Sequence, residues 1–362
     1  MAKALTFFIA LCTICGCLSA EVPLESTNAV GMARIEFFDD ARPAWTDAGS
    51  RPLSTTIWYP AQAGVQQELI SFPADQPIFS GGLAARNATI ANEKKYPFVL
   101  LSHGTGGSAL QMMWLGRALA SRGFIAAAID HHGNTAAEDS FDARGFRMPW
   151  QRALDLSALL DQLIDDPIWA PRIDNTQIGA AGFSLGGYTV TALAGGQIDF
   201  SRFGAFCESL ERDATCDPQP EYPDASREFA EMLESGKVSK SDMEYAGSDF
   251  SDPRISTYVT LAPALIQALT DDSLKSLNQP ILVIVGDGDR VAPLETNAKR
   301  LSDLAPTAGL RVVEGASHYT FLNPCTEQGQ RFVPVCKDGA VSRDAIQADV
   351  IELVVEHFAT SN

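Results

Sequence analysis

Residues 180–188 read AAGFSLGGY and place one serine, Ser184, among three glycines directly after a short apolar run. A stretch of this kind forms either a loop that binds a phosphate or a turn that exposes the serine as a nucleophile. A phosphate loop of the G-x-x-x-x-G-K-[ST] type needs a lysine, and neither a lysine nor an arginine is close. A dinucleotide loop needs G-x-G-x-x-G at the first βαβ unit, whereas this stretch has other spacing and lies mid-chain. The sequence therefore favours the nucleophile turn.

The five residues from Gly182 to Gly186 match the pattern G-x-S-x-G, which is typical of a nucleophile between a strand and a helix. In such a turn the serine has a positive φ, a strained conformation for a residue with a Cβ atom. The positions two before and two after it approach so closely that only glycine fits. The pattern also matches a plain turn with a capping serine, so the rest of the chain must decide between the two.

Short apolar runs alternate with amphipathic runs along the chain, which predicts an α/β fold. One helix places Leu156, Leu159, Leu160 and Leu163 on a single face. The pattern breaks at about 199–253, where the composition is acidic and polar, and a stretch of this length between core strands indicates an insertion. Strands are predicted at 32–38, 54–59, 97–102, 124–130, 178–181, 257–262, 281–285 and 310–314, and helices at 110–121, 187–195, 224–236, 295–304 and 344–358.

A serine nucleophile needs a histidine base and an acid that orients it. Among five histidines, His318 follows the last predicted strand, whereas His357 lies in the last helix and is most easily a surface residue. Two aspartates follow the strand at 281–285, and we favour Asp289, which lies further out in the turn, over Asp287, which is expected to brace the loop. Each candidate stands at the carboxyl end of a predicted strand.

Backbone N–H groups must also face the negative charge that develops on a substrate oxygen. Leu185, which follows the serine, is one expected donor. Thr105 in the glycine-rich stretch 103–107 is the other, with Gly104 and Gly106 as alternatives. His103 is expected to brace this loop from inside.

Other polar and aromatic residues have weaker assignments. His131 and His132 are adjacent, a metal site is their alternative interpretation, and without a carboxylate–histidine cluster we predict neither metal nor cofactor. Trp114, Phe183 and Tyr319 are candidate walls of the substrate pocket or, alternatively, core residues.

The first twenty residues have the outline of a secretory signal peptide, with Lys3, an apolar run and small residues ending at Ala20. Lipidation of Cys17 is the alternative. An even number of cysteines remains in the exported chain, which favours disulfides. Four cysteines allow three pairings, of which we expect the two local ones, Cys207–Cys216 and Cys325–Cys336.

The chain has 362 residues and a formal net charge of −18. This charge argues against a nucleic-acid partner and disfavours docking on an anionic membrane. We expect a secreted or periplasmic protein without a transmembrane segment: a signal peptide at 1–20 and a single domain at 21–362 that carries the insertion.

Six short stretches together resemble the α/β-hydrolase superfamily: WYPA, HGTGG, DHHGNT, GFSLGG, GDGDRVAP and HYTFLNPC. More narrowly, they are similar to predicted dienelactone hydrolases and platelet-activating-factor acetylhydrolases. True dienelactone hydrolases use a cysteine nucleophile where this chain has Ser184, so that substrate is not carried over. The resemblance implies an α/β-hydrolase fold, with a mostly parallel central sheet, helices on both faces and a cap-like insertion.

The resemblance further implies ester hydrolysis through an acyl-enzyme, with Ser184, His318 and Asp289 as catalytic residues. The predicted partner is a small-molecule, lipid or polymer ester. Three alternatives stay open: an amidase or peptidase with the same triad, a phospholipid acyl hydrolase, and a non-catalytic binding protein on this scaffold.

Overall fold

The computed structural model describes residues 28–45, 49–92, 94–337, 339 and 341–361. The predicted signal peptide, with Cys17, lies outside these residues. Within the described residues the chain forms strands β1 (Ala29–Pro43), β2 (Ser50–Ala61), β3 (Glu68–Phe72), β4 (Phe79–Arg86), β5 (Tyr96–Ser102), β6 (Ile125–Ile129), β7 (Ile173–Phe183), β8 (Thr257–Leu261), β9 (Ile281–Gly286) and β10 (Ala308–Val313).

The ten strands form one sheet in the order β10-β9-β8-β7-β5-β6-β2-β1-β4-β3. The six strands from β10 to β6 run parallel, whereas β2 is antiparallel to both β6 and β1. The prediction of a mostly parallel sheet is therefore confirmed. The sequence did not predict β3 and β4, because their mixed burial and the adjacent Gly81 and Gly82 leave no clean alternation.

The helices cover both faces of the sheet. They are α1 (Met113–Ser121), α2 (Ala143–Arg147), α3 (Gln151–Asp165), α4 (Leu185–Leu193), α5 (Phe200–Glu208), α6 (Ala225–Glu234), α7 (Lys240–Tyr245), α8 (Asp271–Lys275), α9 (Ala298–Leu304), α10 (Glu327–Phe332) and α11 (Arg343–Thr360).

Strand β5 shows how the sheet separates two apolar cores. Successive side chains on a strand point to opposite faces. Phe98 and Leu100 pack with residues of α3, α4 and α9, whereas Val99 and Leu101 pack with residues of α1 and α11. The four leucines predicted on one face of α3 are buried in the first core.

Helices α5, α6 and α7 follow α4 and precede β8 along the chain, in the segment predicted as an insertion. We call residues 199–253 the cap. Of these helices only α6 was predicted; Asp224 stands at its N-cap position, and Gly236, two residues beyond its end, has a φ of +75°. Phe229 of α6 is buried, whereas Leu233 is 40% exposed.

Candidate active site

Ser184 occupies a sharp turn between β7 and α4. Its φ of +54° and ψ of −117° lie outside the regions that L-residues prefer, and its N–H donates to Leu261 O at 2.9 Å. A Cβ atom on Gly182 would lie 1.9 Å from Gly186 O, and one on Gly186 would lie 2.1 Å from Ser102 O. Both glycines are therefore required by close backbone approach.

Ser184, His318 and Asp289 form a continuous hydrogen-bonded chain although they are far apart in sequence. Ser184 Oγ lies 3.0 Å from His318 Nε2, and His318 Nδ1 lies 2.8 Å from Asp289 Oδ2. All three residues are buried. Because a carboxylate only accepts hydrogen bonds, the network assigns the imidazole proton to Nδ1 and leaves Nε2 to accept from the serine hydroxyl.

The loop after β9 distinguishes the two competing aspartates. Asp289 Oδ1 accepts the N–H groups of Val291 and Ala292 at 2.9 and 2.8 Å, which holds the carboxylate toward the histidine. Asp287 is exposed, and its Oδ1 accepts the N–H of Gly315 at 2.9 Å. Asp287 thus braces the loop, while Asp289 contacts the histidine.

The glycine-rich loop after β5 packs against the serine turn, since a Cβ atom on Gly104 would lie 3.2 Å from Ser184 Cβ. Gly104 N–H donates to Gln111 Oε1 at 2.8 Å, Gly106 N–H to Asn134 Oδ1 at 2.7 Å, and Gly107 N–H to Gly104 O at 3.2 Å.

The N–H of Thr105 has no hydrogen-bond partner in the described part of the chain, and neither does that of Leu185. Both residues line the same cavity as Ser184 and His318. Because the N–H groups of Gly104 and Gly106 are already occupied, Thr105 is the loop residue whose N–H is free to bind a ligand oxygen.

Both His103 and His131 are fully buried, and hydrogen bonds hold each ring in place. His103 Nδ1–H donates to Gly104 O at 2.7 Å, and its Nε2 accepts the N–H of His131 at 3.1 Å. The ring of His131 lies between Asp155 Oδ2 and Ser102 Oγ, each at 3.0 Å. Burial lowers the pKa of His131 to about 3 and that of His103 well below its usual range. Both rings are thus neutral structural groups.

His132 points away from His131. Its Nε2 accepts the N–H of Trp45 at 2.9 Å, its Nδ1 lies 2.7 Å from Glu138 Oε1, and its ring stacks on the indole of Trp45. Across the residues that the structure describes, no three histidine, cysteine or acidic side chains converge as metal ligands would.

A cavity of about 890 Å³ opens over Ser184. Phe183 and Tyr319 lie on its wall, as expected for pocket residues, and their rings flank that of His318 with centroids 5.0 and 5.4 Å away. Trp114 does not line this cavity: it is buried in the core, where its Nε1–H donates to Phe321 O at 2.9 Å. Of the two alternatives for Trp114, the core is therefore correct and the pocket wall is wrong.

The cap supplies much of the cavity wall, including both cysteines of the first predicted pair. The two local pairings are present: the sulfur atoms of Cys207 and Cys216 are 2.04 Å apart, and those of Cys325 and Cys336 are 1.99 Å apart. Asp213 joins the cap to the main domain, where its carboxylate accepts from Gln267 Nε2 at 2.7 Å and from the hydroxyl of Thr296.

Glu221 brings a carboxylate from the cap to the cavity. Its side chain lies against Gly106, and burial, opposed by the nearby His318, raises the pKa of this carboxyl. Burial also raises the pKa of Tyr319, with Glu221 and Asp289 as further contributors. The cavity therefore combines an apolar wall with one acidic group beside the histidine.

Residues 98–333, well over half of the chain, match the model of the alpha/beta hydrolase family. The chain belongs to this family. It is 34% identical over 101 residues to Cutinase 2 of Thermobifida cellulosilytica, covering 27% of this chain and 34% of that protein. Cutinase cut1 of Thermobifida fusca is equally similar over 101 residues, which are 27% of this chain and 28% of that protein. The match thus spans only about a third of these curated relatives.

A solved ferulic acid esterase from Streptomyces cinnamoneus has the same fold, with a TM-score of 0.59 at 22% identity over 92% of this chain and 90% of that chain. The α/β-hydrolase fold is thereby confirmed, while the narrower resemblance to dienelactone hydrolases and platelet-activating-factor acetylhydrolases stays a prediction. Among the described residues, no helix has the length and apolar character of a membrane span.

Sequence reasoning missed several polar residues that support the site. Gln111 and Asn134 hold the loop at 103–107, and Glu221 faces the cavity. Arg152 is 2% exposed and lies below the same loop. A signal for Arg152 existed: it stands four residues before Leu156, so its charge falls on the buried face of α3 that carries the four leucines and Asp155.

Proposed function

We propose that this chain is a carboxylic ester hydrolase that uses Ser184 as nucleophile, His318 as general base and acid, and Asp289 as the group that orients the imidazole. The observation that carries the proposal is the series of hydrogen bonds from Ser184 Oγ to His318 and from His318 to Asp289, with distances of 3.0 and 2.8 Å. The unpartnered N–H groups of Thr105 and Leu185 lie beside it in the same cavity. A serine hydroxyl is a weak nucleophile until such a base accepts its proton.

The reaction follows from these positions. Ser184 Oγ attacks the ester carbonyl while its proton passes to His318 Nε2, and the imidazolium is stabilised by Asp289. The N–H groups of Thr105 and Leu185 bind the negative oxygen of the tetrahedral intermediate. His318 then gives the proton to the leaving alcohol. Water, activated by the same imidazole, releases the acyl group from Ser184.

The cavity supports an ester with a sizeable apolar part. Its volume of about 890 Å³ lies toward the upper end of the range for small-molecule sites. Aromatic and aliphatic side chains of the cap and its neighbours form its wall, namely Phe146, Phe200, Phe203, Tyr222 and Leu265. The relatives named cutinase and ferulic acid esterase support an ester substrate.

Export belongs to the same proposal. The predicted signal peptide at 1–20 and the two disulfides fit a secreted or periplasmic enzyme, because such bonds persist in oxidising compartments. We keep the division into a leader, one hydrolase domain and a cap at 199–253.

Labelling with a fluorophosphonate, combined with hydrolysis of p-nitrophenyl esters of increasing chain length, tests the function. We expect the wild-type protein to be labelled and active, and Ser184→Ala to lose both properties. Ser302→Ala is the matched control and should retain both labelling and activity. Among the described residues, the hydroxyl of Ser302 donates to Lys299 O within α9. A folded wild-type protein that is neither labelled nor active on any ester would overturn the proposal. Matched anilides show whether amides are also cleaved.

A further inference from the structure

Arg152 is a buried arginine at the start of α3 that contacts the groups around the active-site turn. Its guanidinium donates to His103 O, to Ser102 Oγ at 3.4 Å and to Asn134 Oδ1 at 3.4 Å. Its Nε donates to Thr189 Oγ1 at 3.1 Å. One side chain therefore bonds to the end of β5, to the loop after β6 and to α4.

Two of these partners lead directly to the unpartnered N–H groups. Asn134 Oδ1 also accepts the N–H of Gly106 at 2.7 Å, which holds the peptide next to Thr105. Thr189 Oγ1 donates to Leu185 O at 3.0 Å, which holds the first turn of α4. Arg152 thus joins the two sides of the cavity that carry the N–H groups of Thr105 and Leu185.

The charge of Arg152 is not neutralised by a direct partner. In the described ranges Arg152 forms no ion pair, and the nearby Asp155 is bonded to Arg51, Arg42 and His131 instead. Burial lowers the pKa of Arg152 to about 9, so the side chain keeps its charge at neutral pH. Burying an unpaired cation is unfavourable, and its hydrogen bonds to fixed acceptors offset that cost only in part.

A side chain that served packing alone would not need a charge at this position. An apolar residue at this position would avoid the cost of desolvating a charge. The planar fork of arginine, in contrast, binds several acceptors in one fixed geometry.

We propose that Arg152 is the positioning residue for the oxyanion-binding site: it holds the N–H groups of Thr105 and Leu185 at the separation that the tetrahedral intermediate requires. This inference rests on the proposed function. Donors that are aligned in advance stabilise the transition state more than the bound substrate. Loss of the brace should therefore lower kcat and leave KM nearly unchanged.

The test compares Arg152→Met and Arg152→Lys with the wild-type protein, using p-nitrophenyl butyrate and two inhibitors. A trifluoromethyl ketone forms a tetrahedral adduct with Ser184 and probes the oxyanion site, whereas the matching methyl ketone probes ground-state binding. For Arg152→Met we expect kcat and trifluoromethyl-ketone affinity to fall about 100-fold together, while KM and methyl-ketone affinity change less than about threefold. Arg152→Lys keeps the charge but not the planar fork, so its kcat and trifluoromethyl-ketone affinity should lie between those of the wild-type protein and Arg152→Met.

Arg144→Met is the matched control. Arg144 is also buried, but it pairs with Asp142, the N-cap residue of α2. Its replacement should lower stability without changing the ratio of the two inhibitor affinities. Thr189→Val is nearly isosteric and removes both hydrogen bonds of the Thr189 hydroxyl, the one accepted from Arg152 Nε and the one donated to Leu185 O. It therefore tests the brace even where Arg152→Met does not fold, and we expect a loss in kcat of about tenfold or less.

If the ratio of trifluoromethyl-ketone to methyl-ketone affinity were unchanged in folded Arg152→Met and Thr189→Val, this inference would be wrong. The proposed function would still stand, because the wild-type protein would be active. A wild-type protein that is inactive and unlabelled would overturn both.

Discussion

The carboxylate of Asp289 lies 2.8 Å from Nδ1 of His318 and is held there by its second oxygen, which accepts two backbone N–H groups. The loop after β9 therefore determines which carboxylate oxygen faces the histidine. It also determines the imidazole tautomer, because a carboxylate can only accept a hydrogen bond from Nδ1–H.

Asp289→Asn should lower kcat by a factor of about 10⁴, the size of effect known for this change in another serine triad. The N–H groups of Val291 and Ala292 require an oxygen at Oδ1, so the amide nitrogen of asparagine would face His318 and favour the wrong tautomer. Steady-state hydrolysis of p-nitrophenyl butyrate gives kcat, and a thermal melt shows that the variant is folded.

Asp287→Asn is the matched control on the same loop. Among the described residues, the side chain of Asp287 accepts the N–H of Gly315, and asparagine can keep that bond. We expect kcat within about threefold of the wild-type value. If the two variants lost activity equally, the assignment of Asp289 as the orienting acid would be wrong.

Gly186→Ala should unfold easily and lose activity, because its Cβ would lie 2.1 Å from Ser102 O and 2.9 Å from His103 O. These are backbone atoms of the strand end below the glycine-rich loop, and they cannot move without displacing Thr105. We expect a loss of unfolding free energy of about 3 kcal/mol or more in urea titrations. Gly309→Ala in β10, where a Cβ meets nothing within 4 Å, should change it by less than about 1 kcal/mol.

Much of the site follows from the sequence, because Ser184, Asp289 and His318 each follow a predicted strand, although the half-exposed strand β10 before His318 has the weakest apolar pattern of the three. Parallel strands bring their carboxyl ends to one edge, so order along the chain was sufficient to group these residues. The sequence already favoured Thr105, but the exclusion of Gly104 and Gly106 needed the structure, since it depends on which N–H groups already have partners.

The missed features have physical reasons. The hairpin β3–β4 is short and half exposed, so its apolar periodicity is weak, and helix α5 buries none of its side chains fully. Arg152, like Asp155, places a charge on the leucine face of α3, and the partners of Arg152 are distant in sequence. For Trp114 the sequence left the pocket wall and the core open, because an aromatic residue near a loop is compatible with both until its contacts are known.

Stability should fall as the pH drops below about 6.5. Burial lowers the pKa of His131 to about 3 and that of His103 well below its usual range, so the unfolded chain takes up protons that the folded chain does not. Each histidine should then cost about 1 kcal/mol per pH unit between pH 6.5 and the lowered folded-state pKa.

Urea titrations at pH 7 and pH 5 measure this loss. His131→Asn removes one of the two groups and should make the loss between these pH values visibly smaller. An equal loss in both proteins would contradict a neutral, buried His131.

The disulfide between Cys207 and Cys216 should affect substrate binding more than overall stability. It closes a loop with a sequence separation of 9 within the cap and lies on the cavity wall. A loop of this length constrains the unfolded chain by roughly 3 kcal/mol or less. The cap also keeps other ties to the main domain, among them those of Asp213 and the bond of Arg202 to Gln267 O, so loss of the disulfide should mainly loosen the adjacent cavity wall. Replacing both cysteines by alanine should raise KM severalfold for a long-chain p-nitrophenyl ester and leave that for the acetate nearly unchanged.

The double alanine variant of Cys325 and Cys336, whose separation is 11, is the matched control and should lower the melting temperature by a similar amount without this chain-length dependence. Equal changes in KM for short and long esters would show that the first disulfide does not shape the wall.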